Sequence, residues 1–473
     1  MRENKTYDEL QVGDEATIKR VCTGNDLYVF AHASGNLNPL HLPGNQGEAS
    51  VGTEPETVAP SMWVGALVSA VLGNVLPGPG TLYKAQSFRF LDRAHVGDEL
   101  KITVKVLEKL GGNLVKLSTV VTGRGGDLVA DGEAEVYAPT RKVQIEGDSV
   151  PELEVRRYRH FKTLLEACEG LPPLRTAVVA PEEPAALGGA LLAAEHGLIA
   201  PLLIGNETAI RQTARAAGLD LGDAEIRDAV DAEAAAELAA TLAGRGEVQA
   251  LMKGALHTDE LLRAALARAH GLRTERRLSH IFAFDVPGLD RLLMVTDAAI
   301  NIAPSLEEKV DIVQNAIDLA QALGVEKPHV GILSAVETVN PKIPSTLDAA
   351  IISKMAERGQ IRGGMVDGPL AMDNAMDLGA ARTKGITSLV AGRADVLVVP
   401  NLEAGNLLAK QLVFVAQAHG AGLVMGAKVP VILTSRADDE QARLASCAIA
   451  ALYQAKTGGQ MLTDAAVAGT AAA

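Results

Sequence analysis

The sequence is poor in aromatic residues and in cysteine: Phe, Trp and Tyr make up 3% of its 473 residues, and there are only three cysteines. Cys22, Cys168 and Cys447 lie far apart and form no C-x-x-C pair, which argues against a disulfide framework and a zinc site and favours a reducing compartment. No apolar stretch follows the first charged residues, so we expect no signal peptide. The longest apolar run, at residues 62–73, is shorter than a membrane span. We therefore expect a cytoplasmic protein without a membrane partner.

Positive charge is also scarce, since Lys and Arg number 44 against 58 Asp and Glu, for a formal net charge of −14. A nucleic-acid partner requires basic residues that neutralise phosphates, so the negative net charge argues against this class, and we expect no nucleic-acid partner. A small anionic substrate remains compatible, because a few converging Lys or Arg side chains can form a positive pocket. The sequence has no G-x-x-x-x-G-K-[ST], no well-placed G-x-G-x-x-G and no H-E-x-x-H, and its ten histidines show no metal-ligand spacing. These absences argue against kinases, dehydrogenases and metallohydrolases, and we expect no metal site.

The first 140 residues differ in pattern from the rest. A helix is predicted from about Asn25, and Ser61 can cap a second helix that is apolar nearly all round. Alternating apolar and polar residues, separated by glycine turns, predict antiparallel strands at Tyr83–Leu91, Glu99–Lys109, Leu114–Gly123 and Leu128–Tyr137. We therefore predict an α+β domain over residues 1–140, in which the sheet wraps the apolar helix.

A polar segment with Pro139 and Pro151 predicts a linker, which we place at residues 141–157. From residue 158 to residue 466 the pattern is that of an α/β domain, and residues 467–473 form a predicted tail. Short apolar runs predict buried parallel strands at Arg175–Ala180, Pro201–Gly205, Val248–Met252, Arg291–Thr296, His329–Ser334, Gly364–Val366, Val396–Pro400 and Pro430–Thr434.

Polar residues follow several of these strands, and ligands of open α/β sheets bind beyond the carboxyl ends of the strands. Asp, Asn and Gly also follow strands because turns favour them. An arginine directly after a buried strand needs a partner, and a phosphate group is a good one. The set predicted to form the site is Lys253–Gly254, Asp297, Asp367–Pro369, Asn401 and Ser435–Arg436.

The stretch from about Tyr158 to Ala455 resembles the phosphate acetyltransferase and phosphate butyryltransferase family, with a spacing nearer the butyryltransferase branch. The segments that carry the resemblance are Leu251–Gly254, Thr258–Arg263, Thr296–Asn301, Val366–Asp373, Asn401–Asn406 and Leu433–Arg436. The resemblance implies a two-subdomain fold similar to that of isocitrate and isopropylmalate dehydrogenases. It also implies exchange of an acyl group between CoA and inorganic phosphate in the cleft between the subdomains. CoA thioester is then a substrate, and no cofactor is expected.

The same resemblance implies roles for individual residues. Ser435 hydrogen-bonds the reacting carbonyl oxygen, while Arg436 and Arg263 hold the phosphoryl group; Lys253, Asp297, Asp367 and Asn401 are the further substrate-binding candidates. The CoA thiol needs a base. Acetyltransferases place a catalytic Asp further beyond Ser-Arg than any found here, so our candidates are Asp438 first and Asp439 second, although either can simply cap a helix. A second family arginine has no counterpart that we can assign.

The segment Asp26–His41 resembles the hydratase motif of MaoC-like hotdog proteins, as do Pro77–Gly80 and Ser87–Leu91. The resemblance implies a hotdog fold, hydration of 2-enoyl-CoA and a homodimer. His41 matches the family histidine, whereas Asn36 occupies the position of the aspartate, and an amide cannot accept a proton as a carboxylate does. Ser61 stands at the helix start, where backbone N–H groups can bind a thioester oxyanion.

These patterns leave alternatives open. The first domain is a hydratase that uses His41 and another base, an acyl-CoA-binding domain without catalysis, or a dimerisation domain. The whole chain is an acyltransferase fused to a hydratase-like domain or, alternatively, a non-catalytic acyl-CoA-binding protein that regulates assembly. We expect acyl-CoA, with phosphate or acyl phosphate, as partners of a homo-oligomer that is at least a dimer.

Overall fold

The computed structural model describes residues 2–42, 57–123, 125–145, 153, 158–433 and 440–470, with Arg2 and residues 459–470 described by their backbone alone. The chain divides into two compact units, Met1–Arg156 and Arg157–Ala473. Among the described residues, no helix has both the length and the apolar character needed to cross a membrane.

The first unit is built on an antiparallel sheet with strand order β2-β5-β6-β7-β3, and β4 pairs with β7 beside β3. Its elements are β1 (Arg2–Glu3), β2 (Glu15–Val21), α1 (Gly24–Ser34), α2 (Ser61–Asn74), β3 (Leu82–Gln86), β4 (Arg89–Phe90), β5 (Glu99–Gly111), β6 (Leu114–Thr122), β7 (Leu128–Tyr137) and β8 (Gln144–Ile145). The strand predicted at Tyr83–Leu91 is divided into β3 and β4. The edge strand β2 was not predicted from the sequence. Part of the predicted linker is β8, which pairs with β1.

Helix α2 supplies the centre of the first unit's core. Its buried side chains Trp63, Val68 and Leu72 belong to one apolar cluster with strand residues such as Ile102 and Leu117. Alternate residues of β6 are buried, as expected for a strand with one face on a core. The sheet therefore packs on the apolar helix, which is the arrangement predicted from the sequence.

The second unit contains an eleven-stranded sheet in the order β11-β10-β9-β12-β19-β18-β13-β14-β17-β15-β16. Its elements are α3 (His160–Ala167), β9 (Leu174–Val179), α4 (Pro184–Glu195), β10 (Ile199–Gly205), α5 (Glu207–Ala217), β11 (Glu225–Asp228), α6 (Ala232–Gly244), β12 (Ala250–Lys253), α7 (Thr258–Leu266), β13 (Ser279–Asp285), β14 (Leu293–Thr296), α8 (Leu306–Ala322), β15 (His329–Leu333), α9 (Pro344–Glu357), β16 (Met365–Leu370), α10 (Met372–Met376), α11 (Leu378–Thr383), β17 (Val396–Val398), α12 (Leu402–Phe414), β18 (His419–Met425), β19 (Val431–Ile432) and α13 (Glu440–Thr470).

Helices cover both faces of this sheet. Along β9, Val178 belongs to one buried apolar cluster, and its neighbours Ala177 and Val179 belong to another. A strand that is buried on both faces needs apolar residues at every position, which explains the uninterrupted apolar runs in the sequence. Helix α13 continues to Thr470, so the predicted tail at residue 467 begins inside a helix.

Two parallel blocks make up the sheet, and they run in opposite directions. The first block is β11-β10-β9-β12-β19, the second is β14-β17-β15-β16, and β18 and β13 lie antiparallel between them. Three antiparallel pairings separate β19 from β14, so the carboxyl ends of the two blocks lie at opposite edges of the sheet. The strands predicted from the sequence did not include β13 and β18, which reverse the strand direction between the two blocks.

Candidate active sites

The first block has a topological switch point between β9 and β12, because the chain continues from β9 to β10 on one side and β12 lies on the other. Lys253 ends β12 at this crevice, and its Nζ lies 3.3 Å from the carbonyl oxygen of Gly254. A Cβ at Gly254 would lie 2.3 Å from the carbonyl oxygens of Val179 and Ala180. The loop after β12 therefore requires glycine in order to pack against the loop after β9.

Strand β19 lies parallel to β12, with Leu251 beside Val431 and Met252 beside Ile432. Leu433 therefore follows β19 at the level of Lys253, on the same edge of the sheet. The candidates Ser435, Arg436, Asp438 and Asp439 lie outside the described residues, which end at Leu433 and resume at Glu440. Their roles stay predictions.

Arg263 lies on α7, in the wall of a pocket of about 840 Å³. The same pocket is lined by residues 273–278, by Ala299 and Ile300 after β14, and by Glu307, Glu308 and Asp311 of α8. The Arg263 side chain is 71% exposed, and its Nη2 lies 3.3 Å from Oδ2 of Asp259, which is 74% exposed. So exposed a pair is weak, which leaves the Arg263 guanidinium available to a ligand. A larger pocket of about 1260 Å³ beside α4 contains none of the predicted site residues.

Asp297 is buried, and its carboxylate is occupied by its own loop. One oxygen accepts the N–H groups of Ala299 and Ile300 at 2.9 and 3.0 Å. The other accepts the backbone N–H of Asn301 at 3.2 Å and its side-chain Nδ2 at 2.5 Å. These bonds fix the pocket-lining residues that follow β14. The geometry therefore gives Asp297 a positioning task in its own loop, and the substrate contact implied by the resemblance stays a prediction.

His280 is buried near Asp297, on β13. Burial lowers the pKa of His280 to about 4, because a charged imidazolium loses its hydration, and the negative charge of Asp297 opposes this shift. The imidazole is therefore neutral at physiological pH. Its Nδ1 atom has no hydrogen-bond partner among the described residues.

Asp367 and Asn401 belong to the second block. Asp367 Oδ1 accepts bonds from the Ser353 hydroxyl at 3.2 Å and from the Gly368 N–H at 2.8 Å. Asn401 caps α12 by accepting the N–H of Ala404 at 3.0 Å. Neither residue lines the Arg263 pocket. Asp367 lies within β16 and does not follow a strand as predicted, and Asn401 follows β17. The carboxyl edge of their block is opposite to the edge at which Lys253 ends β12.

Arg277 and its hydrogen-bond partner Asn301 are not among the site residues predicted from the sequence. Arg277 lies two residues before the start of β13, in the run 273–277, which contains three arginines and lines the Arg263 pocket. The run of charges was the available signal.

In the first unit, His41 Nδ1 lies 2.8 Å from the carbonyl oxygen of Val58. A carbonyl oxygen only accepts hydrogen bonds, so Nδ1 carries the hydrogen and Nε2 of the neutral ring carries a lone pair. Asn36 precedes His41 in the same loop, and its Oδ1 accepts the N–H of Asn38 at 3.2 Å. The histidine is therefore prepared to accept a proton, whereas the amide oxygen of Asn36 stabilises the turn.

Ser61 begins α2, and no side chain caps this helix. Pro60 accepts the N–H groups of Trp63 and Val64, and Ala59 is fixed to Ala94 by a 2.7 Å backbone bond. Val58 binds His41, so the histidine is tethered three residues before the helix start. The structure thus connects His41 with the amino terminus of α2, whose backbone N–H groups can bind an anion.

Comparison with known proteins agrees with this architecture. The family model described as "Phosphate acetyl/butaryl transferase" matches residues 231–451, and a "MaoC like domain" matches residues 9–124. A phosphate acetyltransferase from Rhizobium meliloti is 57% identical over 296 residues, which cover 63% of this chain and 94% of that protein. A phosphate butyryltransferase from Clostridium beijerinckii is 41% identical over 298 residues, covering 63% and 99%.

A crystal structure of a branched-chain phosphotransacylase from Enterococcus faecalis V583 has a TM-score of 0.51 and 30% identity, and the match covers 59% of this chain and 99% of that one. Of the two relatives, the acetyltransferase is the more similar, so identity does not favour the butyryltransferase branch indicated by the motif spacing. The predicted fold class is confirmed, with a hotdog unit followed by two α/β blocks. The chain belongs to the phosphate acetyl/butyryltransferase family and carries a MaoC-like domain ahead of its transferase unit.

Proposed function

We propose that the second unit catalyses the reaction acyl-CoA + phosphate = acyl phosphate + CoA with a short or medium acyl group. The observation that carries this proposal is the placement of Arg263 in an open pocket, on the helix that follows β12. The names of the relatives support it, since they are phosphate acyltransferases. The substrates are acyl-CoA and phosphate, or acyl phosphate and CoA, in a cytoplasmic homo-oligomer without a further cofactor.

In this reaction a phosphate oxygen attacks the carbonyl carbon of the thioester, and the carbon–sulfur bond breaks as CoA leaves as thiolate. Arg263 and Arg436 hold the phosphoryl group, and the Ser435 hydroxyl donates to the oxyanion that forms on the carbonyl. In the reverse direction a carboxylate, Asp438 or Asp439, removes the thiol proton so that the sulfur can attack acyl phosphate.

The test is release of free thiol from acetyl-CoA and butyryl-CoA, with and without phosphate. Arg436→Ala should lower the phosphate-dependent rate on the order of 10²–10³-fold, as loss of an aimed transition-state contact does. Arg211→Ala is the matched control, because Arg211 is exposed and paired with Glu207 on α5. Absence of thiol release with any short or medium acyl-CoA would overturn the proposal. Thermal stabilisation by acyl-CoA without release would instead support the non-catalytic alternative.

We further propose that the first unit hydrates 2-enoyl-CoA, and the tautomer fixed by the His41–Val58 bond favours this. Nε2 of His41 takes a proton from water as the water oxygen bonds to C3 of the enoyl group. Backbone N–H groups at the start of α2 hold the enolate oxygen, and a proton is then added at C2.

Crotonyl-CoA hydration tests this second proposal. Robust wild-type turnover that is lost in His41→Ala would support it, and a large gain in Asn36→Asp would identify a weakened hydratase whose carboxylate base is missing. If neither the wild type nor Asn36→Asp hydrates crotonyl-CoA, the domain is not a hydratase.

A further inference from the structure

Arg277 combines an exposed guanidinium with a buried support. It lines the same 840 Å³ pocket as Arg263, and its side chain is 51% exposed. Its Nε donates to Asn301 Oδ1 at 2.8 Å, and its Nη1 lies 3.1 Å from Glu308 Oε1. One edge of the guanidinium is therefore anchored to the protein, while the other faces the pocket with an exchangeable carboxylate partner.

The support behind Arg277 is rigid. Asn301 is 3% exposed, and its Nδ2 donates to Asp297 Oδ2 at 2.5 Å and to the Leu278 carbonyl oxygen at 2.8 Å. Asp297 is itself held by the N–H groups of its loop. A buried amide whose donor is fully used cannot turn away, so its oxygen stays directed at Arg277.

The other arginines of the run lack this arrangement. Arg276 is bound by Asp318 on α8, and Arg273 has no such buried partner among the described contacts. Glu308 is shared, because its second oxygen accepts the Ser305 N–H at 2.9 Å in the capping box of α8. The ion pair between Glu308 and Arg277 is therefore the weaker of the two interactions of Glu308, because both side chains are partly exposed.

We infer that Arg277 binds a phosphate group of the substrates together with Arg263, and that Asn301 and Asp297 are positioning residues for Arg277. This inference rests on the proposed transferase function of the same site. The pocket lining holds four arginines and the carboxylates of Asp259, Glu275, Glu307, Glu308 and Asp311. An anion that enters the pocket consequently displaces a carboxylate side chain from its arginine partner. A phosphate group is suited to this exchange, because several of its oxygens accept charge-assisted hydrogen bonds.

The first experiment compares Arg277→Gln with Arg276→Gln, a neighbouring charge change in the same pocket wall whose native partner is Asp318. Initial rates of thiol release are measured while phosphate and acyl-CoA are varied separately. Arg277→Gln should raise one KM about tenfold to one hundredfold, the range for losing a hydrogen bond to a charged group, and Arg276→Gln should not. Equal KM values in Arg277→Gln and wild type would overturn the inference. A wild type without thiol release would instead refute the transferase function itself.

Phosphate groups occur in both inorganic phosphate and CoA, and two arms separate these sources. A raised KM for inorganic phosphate alone identifies the reacting phosphoryl group as the ligand. A raised KM for acyl-CoA, with reduced discrimination between acyl-CoA and its 3′-dephospho form, identifies the nucleotide end. Either result supports phosphate binding by Arg277.

A double-mutant cycle tests the positioning role. Asn301→Ala should raise the same KM as Arg277→Gln, by a smaller factor and with little change in kcat, and the double variant should be no worse than Arg277→Gln. Additive effects would overturn the positioning role. Because Asn301 is buried, thermal melting accompanies this cycle; if Asn301→Ala fails to fold, Arg277→Gln still tests the binding role.

Discussion

Nδ1 of His41 lies 2.8 Å from the carbonyl oxygen of Val58, three residues before helix α2 begins at Ser61. This bond determines which ring nitrogen carries the hydrogen and ties the histidine to the start of the apolar helix. Arg263, the arginine on which the transferase proposal rests, belongs to the other compact unit. The two proposed activities therefore depend on separate sets of residues.

The first prediction concerns that separation. His41→Gln should abolish hydration of crotonyl-CoA and leave phosphate-dependent thiol release within about twofold of wild type, because a change confined to one unit's site leaves the other core intact. Both activities are measured on the same preparation of the full chain. Parallel loss of both activities with an unchanged melting temperature would contradict it.

The second prediction concerns the packing of the loop after β12 against the loop after β9 at the switch point. Gly254→Ala places a Cβ 2.3 Å from two carbonyl oxygens, so the backbone must shift. We expect a loss of about 1–3 kcal/mol in the free energy of unfolding, as for other overpacked sites. Chemical denaturation of the full chain measures it.

Gly188→Ala on α4 is the matched control, because its added Cβ would meet only Leu219 side-chain carbons at 3.7 Å. A helical glycine with this room should gain about 0.5–1 kcal/mol on replacement by alanine. Equal stability of the Gly254→Ala variant and wild type would show that the two loops pack less closely at Gly254 than the structure describes.

The third prediction follows from the buried His280. Its pKa falls from 6.5 to about 4 on folding, so between these values the unfolded chain binds more protons than the folded one. Folding stability should therefore fall as the pH is lowered through this window, by up to about 1.4 kcal/mol per pH unit from this group.

Denaturation at pH 7.5 and pH 5 measures the effect, with His280→Asn as the comparison. The variant removes the titrating ring, so its loss of stability between the two pH values should be smaller than that of wild type. An equal loss in both proteins would assign the pH dependence to other groups.

The fourth prediction uses Glu308 as a competitor of the substrate for Arg277. Glu308→Gln keeps an oxygen for the capping box of α8 but removes the charge that faces Arg277. The KM of the phosphate-bearing substrate that Arg277 binds should fall about twofold to fivefold, which matches the small energy of an exposed ion pair. A raised KM in this variant would indicate that Glu308 positions Arg277 instead.

Local patterns predicted much of the fold. The alternation at Leu114–Gly123 indicated β6, and the apolar run at residues 62–72 indicated α2. The order of motifs indicated the transferase family, which the relatives confirm. Strands β13 and β18 are absent from the predicted set, because β13 offers only the four-residue apolar run Ile281–Phe284 and β18 begins with His-Gly-Ala-Gly. The residues predicted to form one site therefore belong to two blocks whose carboxyl ends lie at opposite edges of the sheet.

The sequence by itself determined most of the helices and strands, which unit is the hotdog and which the transferase, and which residue types are present for phosphate and thioester chemistry. Periodicity and motif order are properties of neighbouring residues, so they can be seen in the chain. Only the tertiary structure decided that the two parallel blocks run in opposite directions, that the Asp297 carboxylate is hydrogen-bonded to its own loop, and that Asn301 supports Arg277. These results depend on contacts between residues far apart in the chain, and burial decides which polar groups remain available to a ligand.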